Sequence, residues 1–313
     1  MRIGVIQPLP GIGDMVWFVP ALRALAATAP QGRITLFTRA GAQADKLFAG
    51  EQIIDQIGLL PSKKRGAVYA VSHFIRTWRV LKAHRTDRLY ILHQSGRYRL
   101  AARLAGVRDI IAYPRALAKS KENGWAKSLT FLRQNNIATK DTVSSLSPDT
   151  TQLATIRQSF APYAKPWMLV APGASTAERL WPAQNFAACA DALAEKFGGT
   201  VFLIGSPRES DLIAQTHALC RNQATVIAAP AMGFDLVMGL MSESLFLLGN
   251  DSGPANVMAA LGKTSFALCG TSVPPIHSPH QRLIEPDSPH RANGMQGITV
   301  AQVLEKIYAE VSV

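Results

Sequence analysis

Gly249-Asn250-Asp251-Ser252-Gly253-Pro254-Ala255-Asn256-Val257-Met258-Ala259-Ala260-Leu261-Gly262-Lys263 decides the reading of this chain. The apolar run Leu245-Phe246-Leu247-Leu248 precedes it and reads as a buried strand; Thr264-Ser265-Phe266-Ala267-Leu268 follows and reads as another. Between them an Ala/Met/Leu helix opens at a polar turn and stops at Gly262. Such a strand, turn, helix, strand unit gathers unpaired N–H groups and the positive helix end at one place, which suits phosphate or pyrophosphate.

Outward from this unit the same alternation runs through all 313 residues. Strands are expected near 2–6, 33–37, 53–58, 88–92 and 109–112, with helices near 14–28, 65–83, 97–105 and 125–136. The stretch 137–166, with Ser147-Pro148, Ala161-Pro162 and Lys165-Pro166, reads as an interdomain connection holding a short helix near 150–160. A second series of strands near 167–171, 200–204, 225–228, 245–248 and 264–268 alternates with helices near 183–197, 209–220, 234–242 and 254–261. Its strands are continuous apolar runs, as a parallel sheet covered on both faces requires. Residues 269–297, with five prolines, are expected to be an extended loop, and 298–311 a closing amphipathic helix. The expected domains are 1–150 and 151–297, with 298–313 as a helix packing back toward the first domain. An α/β chain of two Rossmann-like halves follows, with a small ligand lying between them.

Apolar residues make up 48% and charged residues 17%, a soluble globular balance. No run of about 18 apolar residues predicts a spanning helix, and Met1-Arg2-Ile3-Gly4-Val5-Ile6 reads as a strand rather than a signal peptide. Cys189, Cys220 and Cys269 lie far apart in no metal spacing and read as buried free thiols of a reducing cytoplasm. The net charge of +12 is concentrated: residues 61–140 hold 18 Lys and Arg against Asp87, Asp109 and Glu122, a net +15. Such asymmetry points to an anionic partner, whether nucleic acid, membrane or substrate.

Two further constellations carry chemistry. The first turn, Gln7-Pro8-Leu9-Pro10-Gly11-Ile12-Gly13-Asp14, has Gly-x-Gly but Val16 where a dinucleotide fingerprint needs a third Gly, which argues against NAD. Asp14 falls at the helix start, where a carboxylate also serves simply to cap N–H groups. After the first strand of the second half comes Ala171-Pro172-Gly173-Ala174-Ser175-Thr176-Ala177-Glu178-Arg179-Leu180-Trp181-Pro182. Arg179 there can grip phosphate oxygens with two prongs, or stand as a surface cation before a helix. His277, His280 and His290 include a His-x-x-His spacing, but a metal site needs further fixed ligands, so they read as loop histidines.

Taken together, Gly-x-Gly-Asp with its apolar helix, Pro-Gly-Ala-Ser…Arg-x-Trp-Pro, and Asn-Asp-Ser-Gly-Pro…Ala-Ala-Leu-Gly-Lys resemble glycosyltransferase family 9, the ADP-heptose:lipopolysaccharide heptosyltransferases. The three blocks occur in order and span essentially the whole chain; the third is the most specific. The resemblance implies a GT-B fold, two Rossmann-like domains facing across a cleft, with the acceptor on the first and the nucleotide-sugar donor on the second. It implies inverting transfer of heptose from ADP-heptose to a hydroxyl of the lipopolysaccharide inner core, without metal or other cofactor. By motif position Asp14 becomes the general base, Arg179 and Ser175 donor-phosphate contacts, and Asp251, Ser252, Gly253, Pro254 and Asn256 the pyrophosphate turn. Met232, in Pro230-Ala231-Met232, matches a position near the nucleoside base.

Two departures from the family pattern stand out. Asn256 replaces a His of many members, so it can donate a hydrogen bond but not a proton. Glu209, after the Gly205 turn, is a weak substitute for an acidic ribose contact. Gly13, Arg97, Arg99 and Arg103 are candidate acceptor contacts by position and charge. In Arg65–Arg85, Val68, Val71, Ile75 and Trp78 recur at helical spacing beside Arg76, Arg79, Lys82 and Arg85. That segment is either an amphipathic contact with membrane or acceptor, or a helix packing its apolar stripe onto the sheet. The expected setting is the cytoplasm, peripheral to the inner membrane. Alternatives are a relative with another donor sugar or a non-lipopolysaccharide acceptor, a nucleotide-sugar epimerase on the same scaffold, and a basic nucleic-acid-binding protein, the last without a recognised motif.

Overall fold

A computed structural model describes residues 1–62, 67–229, 231–270 and 273–312. The chain divides into two compact units, Met1–Ser147 and Pro148–Val313. In the first, the elements are β1 (Ile3–Ile6), α1 (Ile12–Ala27), β2 (Ile34–Thr38), α2 (Ala44–Leu47), β3 (Ile54–Leu59), α3 (Ala67–His84), β4 (Arg88–Ile91), α4 (Gly96–Leu104), β5 (Asp109–Ala112), α5 (Arg115–Lys119) and α6 (Gly124–Gln134). In the second they are α7 (Thr150–Ser159), β6 (Trp167–Ala171), α8 (Ala183–Phe197), β7 (Thr200–Leu203), α9 (Ser210–Ala218), β8 (Val226–Ala228), α10 (Phe234–Glu243), β9 (Phe246–Asn250), α11 (Gly253–Ala260), β10 (Thr264–Leu268), β11 (Gln281–Ile284) and α12 (Val300–Glu310).

Both sheets are parallel throughout, in the orders β3-β2-β1-β4-β5 and β11-β10-β9-β6-β7-β8. The central strands are buried along their whole length because helices cover both faces: β1, β6, β7 and β9 have no exposed residue. The direction in which successive strands are added reverses between β1 and β4 in the first sheet, and between β6 and β9 in the second. At such switch points the loops leaving the carboxyl ends of adjacent strands part to opposite faces and open a ligand crevice. In this chain those loops are 7–11 and 92–95 in the first unit, and 172–182 and 251–252 in the second. Three of the four carry the motifs read from the sequence.

One expectation is corrected. The stretch 269–297 is not a continuous loop: Gln281–Ile284 pairs parallel with β10 as β11, with Ser265 opposite Gln281 and Leu268 opposite Ile284. It was hidden because an edge strand tolerates polar residues, and Gln281-Arg282 breaks the apolar run by which the other strands are recognised. Two one-turn helices, α2 and α5, are too short to show periodicity. Within the connecting stretch, α7 packs on α10, with Gln152 Nε2 donating to Asp235 Oδ2 at 3.0 Å and Ile156 buried. The closing helix, expected to return toward the first domain, is grouped with the second unit and places Val303 and Ile307 in its core beside Leu193 and Phe246 of that unit. The three cysteines are buried and free. No helix among the described residues is long and apolar enough to cross a membrane.

The amphipathic segment behaves in a way that neither sequence alternative captured alone. α3 does pack on the sheet, but through Phe74, Trp78, Val80 and Leu81; Val68, Val71 and Ile75 stay exposed. Arg65, which opened the expected segment, lies outside the described residues.

Candidate active site

In the second unit the switch point is closed by one buried side chain. Asn250, the last residue of β9, is fully buried; its Nδ2 donates to the carbonyls of Pro172 (2.7 Å) and Gly173 (3.3 Å), and its Oδ1 accepts from Trp181 N–H (3.2 Å). The two ends of the 172–182 loop are thereby tied to the strand that launches the 251–252 turn. Trp181 in turn is buried, and its indole N–H donates to Ile298 O at 2.9 Å. Asn250 stood in the opening stretch but no sequence pattern marked it as the tie, because its partners are backbone carbonyls far away in the chain.

That tie brings Arg179 to Asp251: Nη1 lies 3.6 Å from Oδ2. Burial pushes the Asp251 carboxyl above its ordinary range, and the guanidinium beside it pulls it partly back. Asp251 is 13% exposed and Arg179 44%, so the carboxylate is the buried anchor and the cation the reachable group. Ser252 follows as the N-cap of α11 without capping it; its Oγ is buried and has no hydrogen-bond partner. At the first turn of α11, Gly253 and Ala255 have no intrahelical acceptor for their N–H groups and Pro254 has no N–H to leave unpaired. Two oriented donors, an unused hydroxyl and a guanidinium thus collect at one positive helix end. That is an anion site in chemical terms.

The neighbouring residues complete the picture. Ser175 is exposed in the bend ahead of Arg179, and Met232 is half-buried just before α10; Pro230 of its turn lies outside the described residues. Glu209 caps its own turn, Oε2 accepting from Ser206 N–H and Oγ–H at 2.7 Å each. A Cβ on Gly173 would collide with the Glu209 carboxylate, so that group sits directly against the 172–174 loop.

His277 was read as a loop histidine; it does lie outside any helix or strand, but it is buried rather than solvated. It is buried against Asn256, with Nε2 2.6 Å from Oδ1, while Asn256 Nδ2 donates to Ser252 O at 3.0 Å. Because the amide nitrogen is committed to that carbonyl, Oδ1 is an acceptor and His277 Nε2 must carry the hydrogen. The residue that replaces the family's usual His is therefore itself backed by a His from another segment, and only tertiary proximity reveals it. Burial lowers the His277 pKa to about 4. A His whose folded pKa is depressed contributes stability present above its unfolded pKa, lost as pH falls from about 6.5 toward about 4. Urea unfolding at neutral pH and near the low end should show wild type losing up to about 3 kcal/mol more than His277→Gln, whose amide can still donate to Asn256. Parallel pH profiles for the two proteins would dismiss the assignment.

In the first unit Asp14 stands in the first turn of α1, the helix that follows β1. Burial raises its pKa, opposed by a hydrogen bond from Gly11 N–H, and no ion pair among the described residues neutralises it. Gly11 is required for this pose, since a Cβ there would lie 2.7 Å from Asp14 Oδ2. Gly13 is half-buried on the same turn. The three arginines divide. Arg99 is used within the unit, Nη2 donating to the carbonyls of Ala112 and Tyr113 at 3.3 Å each. Arg97 and Arg103 are exposed on α4. Sequence reading passed over Arg39, at the end of β2, whose charge and hydrogen bond oppose the rise that burial imposes on the Tyr98 hydroxyl. No group of three or more metal-ligating side chains occurs among the described residues.

Two parallel α/β units of this kind are the architecture of the GT-B class of glycosyltransferases. The model of glycosyltransferase family 9 (heptosyltransferase) matches residues 110–286, more than half of the chain. The chain belongs to that family. It is 21% identical over 280 residues to lipopolysaccharide heptosyltransferase 3 of Escherichia coli, covering 83% of this chain and 81% of the relative. Among solved structures it superposes on a family 9 glycosyl transferase from Veillonella parvula with TM-score 0.82 at 20% identity, covering 98% and 96% of the two chains. It superposes on Escherichia coli ADP-heptose lps heptosyltransferase II with TM-score 0.78 at 21% identity, covering 99% and 98%.

Proposed function

We propose that this glycosyltransferase moves heptose from ADP-heptose to a hydroxyl of the lipopolysaccharide inner core, with inversion and without a metal ion, at the cytoplasmic face of the inner membrane. The observation that carries the reading is the joining of Arg179, Asp251 and the first turn of α11 at the second switch point. A departing nucleoside diphosphate gains negative charge as the sugar C1–O bond breaks, and a guanidinium with oriented N–H groups stabilises that charge. On the acceptor side Asp14 takes the hydroxyl proton as the new C1–O bond forms on the opposite face of the sugar. The proton ends on the carboxylate, the bond electrons on the diphosphate, and the products are ADP and the glycosylated acceptor. Arg97 and Arg103 are the acceptor-side cations this reading uses, and Met232 and Ser175 lie with the donor. The names of the relatives, which include ADP-heptose and lipopolysaccharide, support this choice of substrates.

Incubation with ADP-heptose and Kdo₂-lipid A tests it: ADP should be released only when both are present, at a rate unchanged by EDTA. Equal release without acceptor would make the protein a donor hydrolase. No release and no donor binding would point to another nucleotide sugar. A rate abolished by EDTA and restored by a divalent cation would overturn the metal-independent assignment.

A further inference from the structure

α3 carries two apolar stripes, and among the described residues only one packs into the core. Phe74, Trp78, Val80 and Leu81 face the sheet core. Val68 is 82% exposed and Val71 61%, with Ile75 also exposed. At 100° per residue Val68, Val71, Ile75, Arg79 and Lys82 fall within an arc of about 80°, so the outward line begins apolar and ends cationic. The neighbouring helix repeats the theme. α4 buries Tyr98, Ala101 and Ala102, and presents Leu100 and Leu104 (59% exposed) between Arg97 and Arg103. The two helices pack together, and Trp78 Nε1 donates to Leu104 O at 3.1 Å while Lys82 Nζ sits 5.0 Å over the indole ring. The exposed apolar side chains thus lie on two helices that pack together rather than at scattered positions.

We infer that the outward face of α3 and α4 docks the enzyme on an anionic lipid bilayer. Charge selects this occupant: the patch lies in the 61–140 stretch with its net +15, and its apolar residues are ringed by Arg and Lys. Aliphatic side chains entering the headgroup layer, flanked by cations that meet lipid phosphates, is the arrangement of an interfacial amphipathic helix. Duplex nucleic acid would use the cations but leave Val68, Val71 and Leu104 in water. Within the first unit, α3 begins at the carboxyl edge of the sheet, the edge that bears Asp14, so docking by its first turns sets the general base at the membrane side of this unit. This deepens the proposed function, resting on it only for the lipid-linked nature of the acceptor.

Co-sedimentation of the full-length protein with phosphatidylcholine vesicles containing about one-third phosphatidylglycerol tests the inference, without donor or acceptor present. Partitioning is expected onto these and not onto phosphatidylcholine alone, weakening as salt rises from about 0.05 to about 0.5 M. Near an anionic surface each cation contributes about fivefold, so Arg79→Glu with Lys82→Glu should weaken binding at least about 25-fold. Val71→Glu with Ile75→Glu should weaken it at least about tenfold. All four positions are exposed, so thermal melting should match wild type. Transfer to a deacylated, water-soluble acceptor should be unchanged in both variants, and transfer to lipid-linked acceptor in vesicles reduced. Should wild type show no transfer at all, the proposed reaction fails while the vesicle result still decides the docking surface. Absence of anionic-vesicle binding overturns the inference. So does V71E/I75E binding like wild type, self-association lost in the variants, or duplex DNA bound as tightly as the vesicles.

Discussion

Asp14→Asn lowers kcat by about 10²–10⁴ while leaving the fold intact, the range for loss of a general base. Asn keeps the shape of the carboxyl and an oxygen to accept the Gly11 N–H, but it cannot hold a proton taken from a sugar hydroxyl. The local geometry is compatible with both this role and helix capping: Asp14 is the N3 residue and accepts the N–H of the N-cap Gly11. What favours the base is that the carboxyl carries a burial penalty that no cation among the described residues relieves. A raised pKa makes Asp14 a stronger base than an exposed carboxylate. It also sets the sign of a stability effect. Between the ordinary 3.8 and the raised value the native state binds more protons than the unfolded chain, so stability falls as pH rises through that window. Asp14→Asn removes that penalty, and its melting temperature at neutral pH should equal or exceed wild type. A dead enzyme no less stable than wild type is the signature of a functional carboxylate. Turnover equal to wild type rules the role out, and a large drop in melting temperature would make Asp14 a structural cap instead.

The sequence made these residues legible to different degrees. Parallel α/β architecture was readable because buried central strands such as Trp167–Ala171 and Phe246–Asn250 leave continuous apolar runs. Asp14, Arg179 and the 251–254 turn were readable because each belongs to a local string placed just after a strand. What stayed hidden depends on contacts distant in sequence. Asn250 is a switch-point tie only because Pro172 and Trp181 come to it. His277 backs Asn256 across 21 positions, and a Pro-rich stretch gives no sign that its histidine is buried. β11 was missed for want of an apolar run, whereas Val68, Val71 and Ile75 of α3 were found by their spacing but not assigned to the outward side. Periodicity finds an apolar face but not which of two faces meets the core.

Arg179→Ala should weaken ADP binding by about 10- to 150-fold, the loss of one or two charge-assisted hydrogen bonds worth about 1.5–3 kcal/mol. It should also lower kcat by about 10²–10³, because leaving-group charge develops after the ground state. Part of the effect comes through Asp251. With the guanidinium gone, its carboxyl loses the one influence that draws its pKa down, and when ionised it repels the pyrophosphate. Asp251→Asn separates the two contributions. Alone, it frees Arg179 but removes the anchor that aims it, so donor affinity should fall by less than in Arg179→Ala. In the Arg179→Ala background the same change should recover some affinity by removing the repulsion, a non-additivity expected of residues in contact. Arg179→Lys should keep the charge and lose the fork, giving an intermediate dissociation constant. Isothermal titration with ADP measures all four proteins. A dissociation constant for Arg179→Ala equal to wild type would remove Arg179 from the donor site, and strict additivity with Asp251→Asn would show that the pair does not act as a unit.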